Sequence, residues 1–109
     1  MSGQGKLTGG TNMAFVQIIE FRTNDVEGMR AAEAEWERAT EGKRTARRQI
    51  ITQDRDDPGR FLSIVFFDSY ESAMQNSEMP ETQAAAEKFM ALAEGPTAFH
   101  NLEVIDDRS

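Results

Sequence analysis

Several residue types are missing or rare in this sequence. It contains no cysteine, and it has one histidine, one tryptophan and one tyrosine among 109 residues. Disulfides, thiolate metal ligands and a cysteine nucleophile are therefore excluded. Only carboxylates remain as partners for the single histidine, and their spacing matches no metal-ligand motif, so we expect no metal site. A cysteine-free chain is compatible with a reducing compartment, and we expect a cytoplasmic location.

Positive charge and long apolar runs are also scarce. Lysine and arginine number 12 against 19 aspartates and glutamates, which gives a net charge of −7. Nucleic acids and anionic membranes both require a basic surface, so neither is expected as a partner. No apolar run approaches the roughly 20 residues of a membrane-spanning helix. Residues 1–13 are rich in glycine, lack the apolar stretch of a secretory signal, and are predicted to form a disordered tail.

Four segments have the alternating or apolar composition of β-strands, at residues 14–22, 44–53, 61–67 and 98–105. The third reads FLSIVFF, in which Ser63 is the one polar residue. Since successive side chains of a strand point to opposite faces, this strand is apolar on both sides. Both of its faces must therefore be covered.

Three helices are predicted between these strands. The first, over residues 26–39, has apolar residues at three- and four-residue intervals, with Asn24 and Glu27 as a capping box. A short helix begins at Tyr70 after a cap at Asp68, and another begins at Pro80. The acidic residues of the first helix are interpreted as its solvated face, namely Glu33, Glu35 and Glu37.

The order of these elements is strand, helix, strand, strand, two helices, strand. It predicts an α+β fold, a ferredoxin-like βαββααβ domain over residues 14–105 with a four-stranded antiparallel sheet and all helices on one face. Residues 106–109 form a polar tail. The sheet face without helices would expose one of two apolar sets, and either is larger than a soluble monomer tolerates. We therefore predict a symmetric homodimer in which two sheets face each other. The first set is Val16, Ile18, Leu62, Ile64, Phe66, Leu102 and Val104, and the second is Phe15, Ile19, Val65 and Phe67.

The chain also resembles a known family. The strand order, the junction FFDSYESAM at residues 66–74 and the helix pair SEMPETQAAAEKFMALAEG at residues 77–95 resemble the dimeric α/β-barrel superfamily. The likeness is strongest to small proteins of the antibiotic-biosynthesis-monooxygenase type. It implies a dimeric α/β barrel with a ligand cavity between sheet and helices. It also implies oxygenation of a small hydrophobic or aromatic molecule without metal, flavin or other cofactor, as in some members.

Other members degrade haem, using an asparagine on the first strand, a tryptophan near the third and a histidine on a later helix. Here the first strand has Gln17, the third has Phe66 and Phe67, and no histidine lies between Tyr70 and Gly95. Haem degradation by that route is therefore not expected. The quinone-forming members also use asparagine and tryptophan around the third strand, which this chain does not have there.

Three residues are candidates for catalysis. Histidine has an unperturbed pKa of about 6.5, so His100 could act as a general acid or base, or it could be a hydrogen-bonded sheet histidine. Tyr70 could donate its hydroxyl to a ligand oxygen or to a neighbouring group. Glu20 lies among apolar strand residues; its pKa would rise in a dry cavity, or it pairs with an arginine of a neighbouring strand.

Three further residues are candidates for ligand binding. Trp36 could form a wall of an aromatic pocket, although it also continues the apolar stripe of the first helix. Phe66 stands on the third strand, where the relatives use a tryptophan. Arg48 could anchor a carboxylate or phosphate, or form a salt bridge. Two functions remain open: an enzyme acting on a small apolar molecule, and a non-catalytic dimeric module that binds a metabolite or a protein.

Overall fold

The computed structural model describes residues 14–108, so the predicted tail at 1–13 lies outside the described residues. Seven elements follow the predicted order, which confirms the fold class. The strands and helices are β1 (Phe15–Arg22), α1 (Val26–Ala39), β2 (Arg48–Gln53), β3 (Arg60–Phe67), α2 (Tyr70–Glu78), α3 (Pro80–Leu92) and β4 (Ala98–Glu103).

The four strands form one antiparallel sheet in the order β2–β3–β1–β4. In the register of β1 and β3, Phe15 lies opposite Phe67 and Phe21 lies opposite Phe61. The alternation of β3 sends Phe61, Ser63, Val65 and Phe67 to a buried face, and the residues between them are only partly buried. The helices thus cover one of the two apolar faces that the sequence FLSIVFF indicated.

The buried face of the sheet carries the core, and the helices pack against it. Phe15, Val65 and Phe67 pack with Ala73 of α2. At the other end, Phe21 and Phe61 stack at 5.7 Å between ring centroids and pack with Met29 of α1. Each fully buried aromatic or aliphatic side chain stabilises the fold by roughly 1.5–3 kcal/mol.

The opposite face is apolar at its centre and only partly buried. Ile64 of β3 pairs with Ile18 of β1 on one side and with Ile50 of β2 on the other. Leu102 of β4 is 45% exposed, opposite Val16. Of the two apolar sets predicted from the sequence, the first is therefore the one that the helices leave uncovered. We call this surface the open sheet face.

The helix caps differ from the predicted ones by one residue. Asp25, and not Asn24, caps the N-terminus of α1, and its Oδ1 accepts the N–H of Gly28 at 2.9 Å. Ser69, and not Asp68, caps α2, in a reciprocal capping box with Ser72. A Cβ at position 28 would lie 2.5 Å from Asp25 Oδ2, so glycine keeps the cap of α1 intact despite its low helix propensity.

No helix among residues 14–108 is both long and apolar enough to cross a membrane.

Candidate active site between the helices and the sheet

A cavity of about 130 Å³ lies between the helices and the buried face of the sheet. Its walls are mainly apolar, and α1, α3 and the central strands supply them. Met90 of α3 and Phe99 of β4 also line the cavity, and they are 60% and 57% exposed. The cavity therefore reaches the surface between α3 and β4. Its apolar lining includes Ile19, Phe21, Val65, Phe67 and Phe89.

The carboxyl group of Glu33 reaches this apolar cavity from α1. Its Oε2 atom is inaccessible to solvent and has no hydrogen-bond partner among the described residues. The pKa of Glu33 is raised to about 7, mainly because the carboxyl group is buried. The Gln49 amide lowers this pKa by a smaller amount, and the negative charge of Glu37 raises it. Glu33 can therefore gain and lose a proton near neutral pH, as a general base or acid requires.

Amide and hydroxyl groups of the sheet line the same cavity as this carboxyl group. The Gln49 side chain of β2 donates to the Ser63 hydroxyl of β3 at 3.1 Å. On the next strands, Gln17 donates to Asn101 at 3.1 Å. Gln17, Gln49 and Ser63 all line the cavity, so polar groups stand on its sheet side opposite Glu33. An apolar pocket with a few placed polar groups is the usual form of a small-molecule site.

Trp36 lies one turn beyond Glu33 on α1 and forms part of the cavity wall. Its indole N–H donates to the Thr82 hydroxyl of α3 at 3.0 Å, which joins the two helices. The guanidinium carbon of Arg44 lies 5.6 Å from the centre of the Trp36 ring system, a cation–π distance. The structure thus places Trp36 where the pocket-wall interpretation requires it.

His100 and Glu20 lie instead on the open sheet face. His100 Nε2 lies 2.8 Å from Glu20 Oε1, and Arg60 donates to Glu20 Oε2 at 2.8 Å and to Asp54 at 2.9 Å. The hydrogen bonds of His100 and Arg60 lower the pKa of Glu20. Of the two alternatives for Glu20, the structure contains the arginine partner on a neighbouring strand and not the raised pKa.

The remaining candidates also lie outside the cavity. The guanidinium carbon of Arg48 lies 5.8 Å from the centre of the Phe66 ring, and these two residues are register partners on the open sheet face. Tyr70 is 50% exposed at the start of α2, and its ring forms a T-shaped pair with the ring of Phe15 at 5.5 Å between centroids. Of the six candidates, Trp36 alone lines the cavity. The catalytic and binding roles of all six stay predictions.

The assignment of Glu33 to a solvated face was wrong. Glu33 stands four residues after Met29 and three before Trp36, so it shares their side of the helix. The spacing of the apolar residues in α1 therefore already indicated a buried carboxyl group, because Glu33 interrupts the apolar stripe. The neighbouring Glu35 and Glu37 are exposed, as predicted.

No group of three or more histidine, aspartate or glutamate side chains within residues 14–108 is arranged to hold a metal ion.

Solved structures share this fold. A candidate antibiotic biosynthesis monooxygenase from Nitrosomonas europaea superposes with a TM-score of 0.73 at 15% identity, over 90% of this chain and 96% of its own. One from Caulobacter crescentus gives a TM-score of 0.75 at 7% identity, over 86% of this chain and 92% of its own. The Rv0793 protein from Mycobacterium tuberculosis gives a TM-score of 0.72 at 16% identity, over 88% of this chain and 99% of its own.

These superpositions confirm the predicted resemblance to antibiotic-biosynthesis-monooxygenase-like proteins at the level of the fold. No protein-family model matches the sequence, and no curated protein matches it. The fold is thus established by structure, while the activity has to be argued from the site.

Proposed function

We propose that the protein is an enzyme that binds a small hydrophobic or aromatic molecule between sheet and helices and oxygenates it without a cofactor. The observation that carries the proposal is the Glu33 carboxyl group in an apolar cavity, with a pKa of about 7 and an oxygen that has no hydrogen-bond partner within residues 14–108. A cofactor-independent oxygenase needs a base that ionises its substrate in a dry site, because the ionised substrate gives electrons to oxygen more readily. Two structures with the same fold carry the name antibiotic biosynthesis monooxygenase, which agrees with oxygenation as the reaction class.

The volume of the cavity limits the substrate. An apolar cavity of about 150 Å³ accommodates a benzene molecule in other proteins. The cavity of about 130 Å³ is similar in size, so we expect the substrate to place a single aromatic ring in it.

A monocyclic hydroquinone illustrates the balanced reaction. Glu33 accepts the proton of a ring hydroxyl, and the resulting anion reduces oxygen. One oxygen atom forms a new carbon–oxygen bond in place of a ring hydrogen, and the other leaves as water. Hydroquinone and O₂ thus give hydroxyquinone and water, and the substrate itself supplies all four electrons.

The proposal includes a homodimer. It is supported by the open sheet face, where Ile18, Ile50 and Ile64 form an apolar row. In a dimer of facing sheets, the hydrogen-bonded side chains of His100, Glu20 and Arg60 would lie at the interface and not in the cavity. A cytoplasmic location also remains part of the proposal, and the absence of cysteine is compatible with it.

The test is oxygen consumption by the purified protein with methylhydroquinone, followed by mass spectrometry under isotopically labelled oxygen gas. We expect one labelled oxygen atom in the quinone product and no requirement for metal or flavin. Consumption equal to that of buffer, or a product free of label, would reject the oxygenase.

A non-catalytic dimeric module remains the second candidate. It is favoured by the positions of His100 and Tyr70, which both lie outside the cavity. Among residues 14–108, Glu33 is the one ionisable side chain that lines it. This candidate predicts saturable binding of a ring compound without any product.

A further inference from the structure

A second concave surface lies next to the cavity, between α1 and the edge strand β2. It is an open groove of about 670 Å³. Arginines line it from both sides, in a protein with a net charge of −7. We call it the arginine groove. Its arginines are Arg30, Arg44, Arg47 and Arg48.

The arginine groove and the cavity share part of their walls. Glu33, Trp36 and Gln49 line both. These three side chains therefore form the boundary between the cavity and the groove, and a ligand that occupied both would pass beside them.

The charges of the groove favour an anion. Arg47 is paired with Asp68 through two hydrogen bonds. Arg30 and Arg44 have no ion-pair partner within residues 14–108. The guanidinium of Arg44 stacks on Trp36 and donates to the Glu37 carbonyl at 2.9 Å. The groove contains two carboxyl groups, of which Glu33 is partly neutral at pH 7. Its positive charges therefore outnumber its negative ones.

We propose that the substrate is an aromatic ring that carries an anionic group on a short spacer, with the ring in the cavity and the anion held by Arg44 and Arg30. Guanidinium groups bind carboxylates and phosphates through paired N–H donors, and a stacked guanidinium is already oriented for such contacts. This inference rests on the proposed function, because it names the substrate class of the same cavity.

The experiment uses the fluorescence of Trp36, the single tryptophan of the chain, to measure binding of matched ring compounds. The probes are toluene, 3-phenylpropionate, 2-phenylethyl phosphate, 3-phenylpropanamide and 3-phenylpropylammonium. We expect at least one of the two anions to bind about tenfold more tightly than the amide, a factor that corresponds to about 1.4 kcal/mol. The ammonium compound should bind more weakly than the amide. Raising the salt concentration should weaken binding of the anions and leave toluene unaffected.

Three variants localise the effect. Arg44→Gln and Arg30→Gln should each reduce the preference for the anion several-fold without changing the affinity for toluene. Arg55→Gln removes the same charge from the turn between β2 and β3, outside the groove, and should leave every affinity unchanged. Unchanged toluene binding also shows that the variants are folded.

The outcomes separate the two proposals. Toluene binding with equal affinities for anions and amide would overturn the arginine groove as an anion site and leave the cavity proposal standing. Failure of toluene and every other probe to bind would reject the cavity as a ligand site, and the proposed function with it. An anion preference that Arg55→Gln reduces as much as Arg44→Gln would show a diffuse charge effect and would also overturn the proposal.

Discussion

Replacing Glu33 by glutamine should reduce oxygen consumption with methylhydroquinone by about 10²–10⁴-fold, the usual contribution of a general base. Glutamine has nearly the same shape as glutamate but cannot accept a proton at neutral pH. The polar neighbours Gln49 and Ser63 remain in place. We therefore expect the loss in turnover, with little change in the affinity for toluene measured by Trp36 fluorescence.

The matched control for this variant is Glu27→Gln, which removes a carboxylate from an exposed position of the same helix. It should retain full turnover. Wild-type turnover in the Glu33→Gln protein would mean that Glu33 is not the base. A loss of toluene binding together with turnover would instead assign Glu33 a structural role.

The second large effect concerns the proposed dimer. Replacing Ile64 by aspartate places a charge at the centre of the open sheet face, between Ile18 and Ile50. Burying an unpaired charge costs several kcal/mol, and a two-fold interface contains two copies of it. We expect the dissociation constant to rise at least about 100-fold, since every 1.4 kcal/mol is a factor of about ten.

Sedimentation velocity at micromolar concentration measures this effect. The wild-type protein should sediment as a dimer and Ile64→Asp as a monomer. Ala84→Asp adds the same charge at an exposed position of α3, outside the open sheet face, and should remain dimeric. A wild-type monomer of 12.2 kDa would contradict the interface.

Much of the fold could be predicted because the relevant signals are local. Alternation along residues 61–67 indicated a strand with two apolar faces, and Pro80 indicated the start of α3, where the structure has it. The N-terminal caps of the helices were harder to predict, because neighbouring residues such as Asn24 and Asp25 are equally good caps. The choice between them depends on where the chain leaves β1.

The candidate site was harder to predict because it depends on contacts between elements distant in sequence. The spacing of Met29, Glu33 and Trp36 indicates that Glu33 lies on the packed side of α1, but the cavity at that side is formed by residues of other elements, which the sequence does not bring together. Glu20 was placed correctly in an apolar strand, but its pKa depends on which strand face the helices cover. On the open sheet face it contacts Arg60 and His100, and its pKa is lowered.

The central claim is that the Glu33 carboxyl group is held in an apolar cavity, and the pH dependence of stability tests it most directly. The pKa of Glu33 rises from 4.5 to about 7 on folding. Below pH 4.5 the group is protonated in both states and contributes no pH dependence. Between pH 4.5 and 7 the unfolded chain releases the proton while the folded protein retains it, so the free energy of unfolding falls with rising pH.

Urea unfolding of wild-type protein and Glu33→Gln, at equal concentrations from pH 4 to 8, isolates this contribution because glutamine does not titrate. We predict that the wild-type protein loses about 3 kcal/mol of stability relative to the variant between pH 4.5 and 7, at about 1.4 kcal/mol per pH unit. A constant difference between the two proteins over this range would contradict the account.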